Sequence, residues 1–506
     1  MKNYLFNKVA VVAILSILVG ASCSKLDEKL YGRVTPENFF QTDAEILSAL
    51  AGVYNNMGFA VNGGNLWRLL HLGTDEFIIV ARSDGRWLDG SVYIEFFEHK
   101  WTPINNRLTS YSDVFRTIGS ANAVLEGMQS SPNVANLKAQ IAEARGVRAY
   151  AYFYAMDLWG NVPLVTAAKV DPSNPPKTTS RADIFAFVEA EMLKAVNDLP
   201  SVTTVNRTAY YPRFTKEAVY GALAMVYLNG KVYTGKDYWT QSIEMCNKVT
   251  GSNAYILEPQ FITNFYGDND KSKELISSFS IDPAQTAGGN NYVRGALNAL
   301  HVNSFNPVLP FVPANGFNTF EEALNRYEAN DIRRKYIVWG PQVDYNGNPL
   351  KYTNGTPLVL VPIKDPTKAE DNEGYRVLKY IPDGKWVGRD AGNDIVLMRY
   401  ADVLLMKAEA LVRNGNAAEA LPLINQVRAR SNATPLASVT LQNLLDERGR
   451  EFLWEGHRRR DLIRFGDYFT RTWTFNPVPV AAFRGLYPIP NQQIIANKNL
   501  TQNQGY

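Results

Sequence analysis

Residues 400–430 read "YADVLLMKAEALVRNGNAAEALPLINQVRAR", and this stretch decides the fold class. Ala408, Leu411, Gly415, Ala420, Ile424 and Val427 fall at the spacings of a tetratricopeptide unit, with small residues where two helices touch and larger ones filling between them. Residues 221–249, "GALAMVYLNGKVYTGKDYWTQSIEMCNKV", repeat the theme through Ala224, Tyr227, Ser242, Cys246 and Val249. Weaker echoes lie at "EARGVRAYAYFYAMDLWG" and "ADIFAFVEAEMLKAVNDLP". One helix pair cannot cover its own apolar face, so three or four such units must stack. The predicted fold is mainly α: tetratricopeptide-like helical repeats in an α-α superhelix, with a loop-rich irregular lobe and small β hairpins.

Outward from the repeats, Thr42 or Asp43 can cap a helix carrying Ile46, Leu47, Leu50, Val53 and Tyr54 at helical period. Further helices are predicted at 111–128, 136–158, 181–199, 216–228, 237–249, 395–413, 417–430 and 441–465. They form two blocks, 41–254 and 394–506. Between them residues 255–393 are dense in Gly, Asn and Pro, with a hairpin expected around Asn346-Gly347. An insertion of that length without regular structure is usually functional.

The N-terminus is an export signal. Lys2 and Lys8 precede an apolar run from Val9 to Gly20, whose helix would rise about 18 Å and fall short of the roughly 30 Å a membrane span needs. Gly20-Ala21-Ser22-Cys23 resembles a bacterial lipobox, which makes residues 1–22 a signal peptide, Cys23 the lipidated residue and 23–40 a polar tether. One acyl chain anchors only marginally, so the multi-acyl modification this resemblance implies would hold the chain on a membrane.

Composition removes several function classes. Two of the 52 basic side chains leave with the signal, so against 49 acidic ones the mature chain carries about +1, far from the basic face that nucleic acid requires. Cys246, the only other cysteine, has no partner for a disulfide once Cys23 is lipidated. The four histidines, His71, His99, His301 and His457, are too scattered for a helical zinc pair. Gly230 to Asp237 mimics a phosphate loop but puts Asp237 where magnesium needs Ser or Thr, and it joins two repeat helices. Asp268 and Asp270 offer oxygen ligands without the glycine and terminal glutamate of a calcium loop. Glu447, Glu451 and Glu455 recur every four residues among arginines, which favours an ion-paired structural helix over a general acid. No cofactor, metal or catalytic residue is expected.

Several segments together resemble the SusD/RagB surface lipoproteins of Bacteroidota: the lipobox with Asp27 and Glu28 behind it, "NFFQTDAEILSALAGVYNNM", "EARGVRAYAYFYAMDLWGNVPLV", "RYADVLLMKAEALVRNGN", "REFLWEGHRRRDLIRFG" and the ending "YPIPNQQIIANKNLTQNQGY". The resemblance implies a non-enzymatic subunit on the cell outer membrane, lipid-anchored and facing the cell surface. Its helical side would pack on a TonB-dependent, SusC-like barrel transporter, and its loop side would act as a lid that captures an oligosaccharide for import. A peptide-capturing subunit of the same type, a tetratricopeptide scaffold binding only protein and a lipid-anchored hydrolase are the competing readings. The hydrolase needs two carboxylates about 5 to 10 Å apart across a cleft.

Sugars offer C–H faces that stack on aromatic rings and hydroxyls that bond planar polar side chains. "ARSDGRWLDGSVY" supplies Arg82, Asp84, Arg86, Trp87 and Tyr93 between glycines, and "GGNNYVRG" supplies Asn290, Asn291, Tyr292 and Arg294. For each ring the alternative is core filling. That alternative is expected for Trp159 and Trp454 on helices, and for Phe97 and Trp101. For Trp87, bracketed by Gly85 and Gly90, both readings stand.

Overall fold

The computed structural model describes residues 39–61, 64–282, 290, 292–382, 386 and 391–506. The helical part begins with α1 (Asp43–Val61) and α2 (Asn65–His71); a short strand, β1 (Ile78–Ile79), precedes the long helices α3 (Ser110–Ser130), α4 (Lys138–Trp159) and α5 (Arg181–Asp198). Next come α6 (Lys216–Leu228) and α7 (Trp239–Thr250). The irregular lobe carries β2 (Leu275–Phe279) and β3 (Phe317–Asn318). The chain then enters β4 (Ile395–Arg399), α8 (Tyr400–Arg413), α9 (Ala417–Arg430), α10 (Leu441–Glu451) and α11 (Arg458–Phe465).

Local chemistry fixes the helix starts. The Ser180 hydroxyl accepts the Asp183 N–H at 3.1 Å to open α5, and the Thr215 hydroxyl accepts from Ala218 to open α6. Thr440 and Asn443 exchange reciprocal bonds at the head of α10. From α3 to α9 each helix packs on the next, and α1 packs on α3. The small residues sit at the contacts: Ala224, Cys246, Ala408 and Ala420 are wholly buried. The Ser242 hydroxyl donates to the Ala224 carbonyl at 2.9 Å and locks α6 to α7. This is the α-α superhelix that residues 400–430 predict, and Trp101, Trp159 and Trp454 lie in its core as expected.

Two predicted helices are corrected. Residues 395–399 are strand rather than helix: β4 pairs antiparallel with β2, and all five of its side chains are buried. The helix starts only at Tyr400, where the Asp402 carboxylate accepts the Arg399 N–H at 3.0 Å. The predicted helix 441–465 breaks in two. Between α10 and α11 Trp454 and Gly456 take left-handed φ values of 60° and 81°. Distant groups stabilise this turn: the Trp454 indole donates to the Glu76 carbonyl, the Gly456 N–H to His71 Nε2, and Lys379 Nζ to the carbonyls of Glu451 and Leu453.

The acidic row of α10 and the turn after it is structural, as its arginine neighbours imply. Glu447 pairs with Arg333, Arg428 and Arg450, Glu451 with Arg333, Arg399 and Arg430, and Glu455 with Arg399 and Lys379. These pairs are buried and tie the irregular lobe to the repeats. In the lobe itself, apart from β2, strands are two residues long: Ile337–Val338 pairs with Arg376–Val377, and Gly340–Pro341 with Val359–Leu360. The turn expected at Asn346-Gly347 forms, with the Asp344 N–H donating to Asn348 O at 2.8 Å and Gly347 at φ 87°.

Candidate ligand-binding site

β1 pairs antiparallel with β3, placing Ile79 opposite Phe317, and the chain leaves β1 into a loop that reaches Tyr93. Arg82 roots this loop. Only 3% exposed, it donates to the carbonyls of Asn315, Glu370 and Glu373 and to the side-chain oxygens of Asn315 and Asn318. Burial, with no carboxylate bonded to it, lowers its pKa to about 10. A second buried guanidinium, Arg376, shares both asparagine oxygens. Together the two arginines fasten the loop to the arm 314–318 and to the turn 370–374.

Above that root the Arg82 N–H closes a turn on the Arg86 carbonyl at 2.8 Å. The backbone then takes left-handed φ at Gly85 (86°), Trp87 (61°), Asp89 (44°), Gly90 (67°) and Ser91 (67°). For a residue as bulky as tryptophan that conformation is an outlier, and such strain persists only where the surroundings over-determine it. Here they do. The Trp87 indole N–H donates to the Ala314 carbonyl at 2.7 Å, and its ring lies against Gly316 and 5.6 Å from the Phe317 ring. Arg68 is placed among the rings of Trp87, Tyr93 and Phe317 at 6.0, 5.9 and 5.4 Å, and it donates to the Tyr93 hydroxyl. Trp87 is therefore held by its indole N–H and by Gly316 packed on its ring, and it is half-buried.

Beside the indole runs a polar rim. Arg86 Nε donates to Asp84 Oδ2 at 2.7 Å and its terminal nitrogen to Asp371 Oδ1 at 2.5 Å, and all three side chains are more than two-fifths exposed. Burial opposes the charge of Arg86, but its hydrogen bonds to Asp84 and Asp371 outweigh that and raise its pKa. The Asp371 carbonyl is fixed in turn by the amides of Asn298 and Asn315. The rim thus presents a guanidinium between two carboxylates in a fixed fork.

The candidates from sequence divide accordingly. Asp84, Arg86 and Trp87 come together at the surface. Arg82 is a buried root, and Tyr93, 2% exposed, turns inward to Arg68 and Arg107. Tyr292, 4% exposed, packs in the core against Trp67 and Tyr380 at 4.4 and 4.6 Å. Burial corrects the expectation that these three side chains meet solvent. Asn290 is buried and accepts the Tyr292 N–H, while Arg294 lies on the short helix Tyr292–Ala296. Asn291 and Cys23 lie outside the described residues. Sequence reasoning missed Asp371, which lies 285 residues from the Arg86 it pairs with. It also missed Gly316, although Asn315-Gly316 is a turn signal in its own right.

Gly316 offers a direct test of how the platform is held. A Cβ built there would lie 2.1 Å from Trp87 Cε2 and 2.3 Å from Cζ2, and Gly316 itself needs no left-handed backbone. Gly316→Ala is expected to displace the indole while the helical core stays intact. The readout is the Trp87 indole N–H resonance, assigned with Trp87→Phe: it should move or broaden, and an unmoved signal would mean that the ring does not rest on residue 316.

Comparison with known proteins places these features in context. The model of the SusD family matches residues 217–506, and a second family model, described as starch-binding associating with outer membrane, matches residues 26–228. The starch-binding protein SusD of Bacteroides thetaiotaomicron is 29% identical over 469 residues, covering 83% of this chain and 82% of that protein. SusD-like protein P25 of Formosa agariphila is 25% identical over 550 residues, covering 98% and 99%. Among solved structures, a laminarin binding SusD-like protein superposes with a TM-score of 0.76 at 22% identity, over 92% of this chain and 100% of that one. The surface glycan-binding protein A of Bacteroides thetaiotaomicron, in complex with laminarihexaose, gives a TM-score of 0.74 at 20% identity, over 91% and 99%.

Proposed function

The chain belongs to the SusD family, and on that premise we propose that it is a lipid-anchored surface subunit that captures a glycan and passes it to a TonB-dependent, SusC-like transporter in the outer membrane. It is a binding protein and not an enzyme. The observation that carries the reading is the Trp87 platform: a large, half-buried ring, fixed on strained backbone beside the Asp84, Arg86 and Asp371 fork. A sugar ring stacks its C–H face on such an indole, and its equatorial hydroxyls donate to the carboxylates and accept from the guanidinium. The named ligands of relatives, starch and laminarin, support a glucan as the first ligand to try.

Calorimetry of the mature chain against malto- and laminari-oligosaccharides, with plant and host glycans and peptides alongside, tests this reading. Binding to one glycan class is expected. Binding to peptides alone would overturn the glycan assignment.

Cys23 is proposed as the anchor on the sequence around it. Cys23→Ala is expected to abolish acylation and to shift the protein from the outer-membrane fraction to a soluble or uncleaved form, read by metabolic lipid labelling and fractionation. Unchanged membrane association without precursor would exclude the lipid. Handover to a transporter predicts that the tagged, membrane-extracted protein co-purifies with a barrel protein, and recovery of the subunit alone under mild detergent would count against that partner.

A further inference from the structure

A cavity of about 270 Å³ opens between α1 and the end of β2, and it shares no residue with the Trp87 platform. One wall is a single stripe of α1 in which Leu47, Leu50, Ala51, Tyr54 and Asn55 recur at helical spacing. Phe279 and Ile281 form the apolar wall opposite, and Leu47, 43% exposed, stands at the rim. The far end is polar and ion-paired. Glu143, wholly buried, accepts from the Tyr54 hydroxyl at 2.8 Å and from Arg213 through Nε and a terminal nitrogen. The Tyr54 oxygen in turn accepts the Phe214 N–H at 2.9 Å. Arg213 stacks on Tyr210 at 4.3 Å, so the pair is braced from outside the cavity as well.

We propose that this cavity is a second ligand site, and that it takes a small neutral molecule with an apolar body and one hydroxyl or carbonyl group. Its apolar walls with a few convergent polar groups are those of a small-molecule pocket, and its volume suits a ligand at the small end of that class. The charge of the ligand follows from the Glu143–Arg213 pair, which is neutral as a unit. Each charge of the wall is already paired with the other, so a ligand carboxylate or ammonium would be desolvated without a full counter-charge left for it. A neutral polar group meets no such penalty. The Asn55 amide, which makes no hydrogen bond among the described residues, lines the same wall and can bond that group in either sense. The apolar body then covers Leu47 and Ala51, surface that the fold otherwise leaves exposed at the opening.

The test uses benzyl alcohol, benzoate and benzylamine as matched probes on the mature chain, followed by saturation-transfer NMR. Benzyl alcohol should bind, with both charged probes weaker by about ten-fold or more. Ala51→Phe, on the exposed side of α1, should block the cavity and abolish the signal. Leu47→Lys at the rim, which cannot disturb the core, should weaken it several-fold. Trp87→Ala should leave it unchanged, which separates this site from the glycan platform. No binding of benzyl alcohol, equal binding of the charged probes, or binding that survives both cavity variants overturns the proposal.

Discussion

Glu451→Ala is expected to lower the stability of this protein by about 3 to 5 kcal/mol, the usual consequence of removing one partner from a buried ion pair. Glu451 has no exposed surface and bonds Arg333 and Arg399 at 2.7 and 2.8 Å, with Arg430 closing the cluster. Deleting the carboxylate leaves three guanidiniums facing one another in the interior. Glu274 and Glu455 answer part of that charge but already serve Arg399, Arg430 and Lys379. Glu451→Gln keeps the volume and should cost nearly as much, because charge rather than packing is what is lost. Urea unfolding of both variants checks this, and a Gln variant as stable as the wild type would reduce Glu451 to a space-filler. The acid behaviour follows from the same geometry. Burial alone would raise the pKa of this carboxyl, but Arg430, Arg399 and Arg333 outweigh burial and hold it well below the ordinary glutamate range. A group with a depressed folded pKa contributes stability above its unfolded value and loses it as pH falls toward the folded one. The gap between wild type and Glu451→Ala should therefore narrow as the pH drops below about 4.

How far the sequence reached depended on where each residue finds its partners. The repeat helices were legible because their signals are local: Ala408, Leu411 and Ala420 alternate small and large within one helix pair, and Thr215 and Thr440 cap within three residues. Residues 395–399 were misread because a short, wholly apolar run has no period that separates strand from helix, and its partner β2 is more than a hundred residues away. The break after Glu451 was hidden for a similar reason, since His71, Glu76 and Lys379 make the turn and none of them is near it in sequence. At the candidate site, Gly85 and Gly90 announced an irregular loop around Trp87. The charges beside it suggested an exposed Arg82, yet carbonyls from residues 315, 370 and 373 satisfy that guanidinium inside the lobe. Tyr93 turned inward because Arg68 waits for its hydroxyl. Long-range pairing of this kind leaves no periodic trace.

Trp87→Ala is expected to weaken glycan binding by roughly 1 to 3 kcal/mol, the range for aromatic stacking measured on nucleic-acid bases, which corresponds to about 5- to 150-fold in affinity. The structure changes what else should happen. Because the indole N–H bonds the Ala314 carbonyl and the ring rests on Gly316 and Phe317, the mutant also loses packing, and its melting point should fall modestly rather than stay fixed. The two effects separate in Trp87→Phe. Phenylalanine keeps a face to stack on but cannot donate to Ala314, so it should lose the hydrogen bond, about 1 kcal/mol of stability, and retain most of the binding. Asp371→Asn supplies the complementary arm: the backbone carbonyl that Asn298 and Asn315 bind is untouched, while the carboxylate that pairs with Arg86 loses its charge. A stacking platform with a polar rim predicts that Trp87→Ala and Asp371→Asn each weaken binding and that Trp87→Phe is the mildest of the three. If affinity instead follows melting temperature across the set, with Trp87→Phe binding as poorly as its lost hydrogen bond dictates, then Trp87 is a strut of the loop and the sugar is held elsewhere.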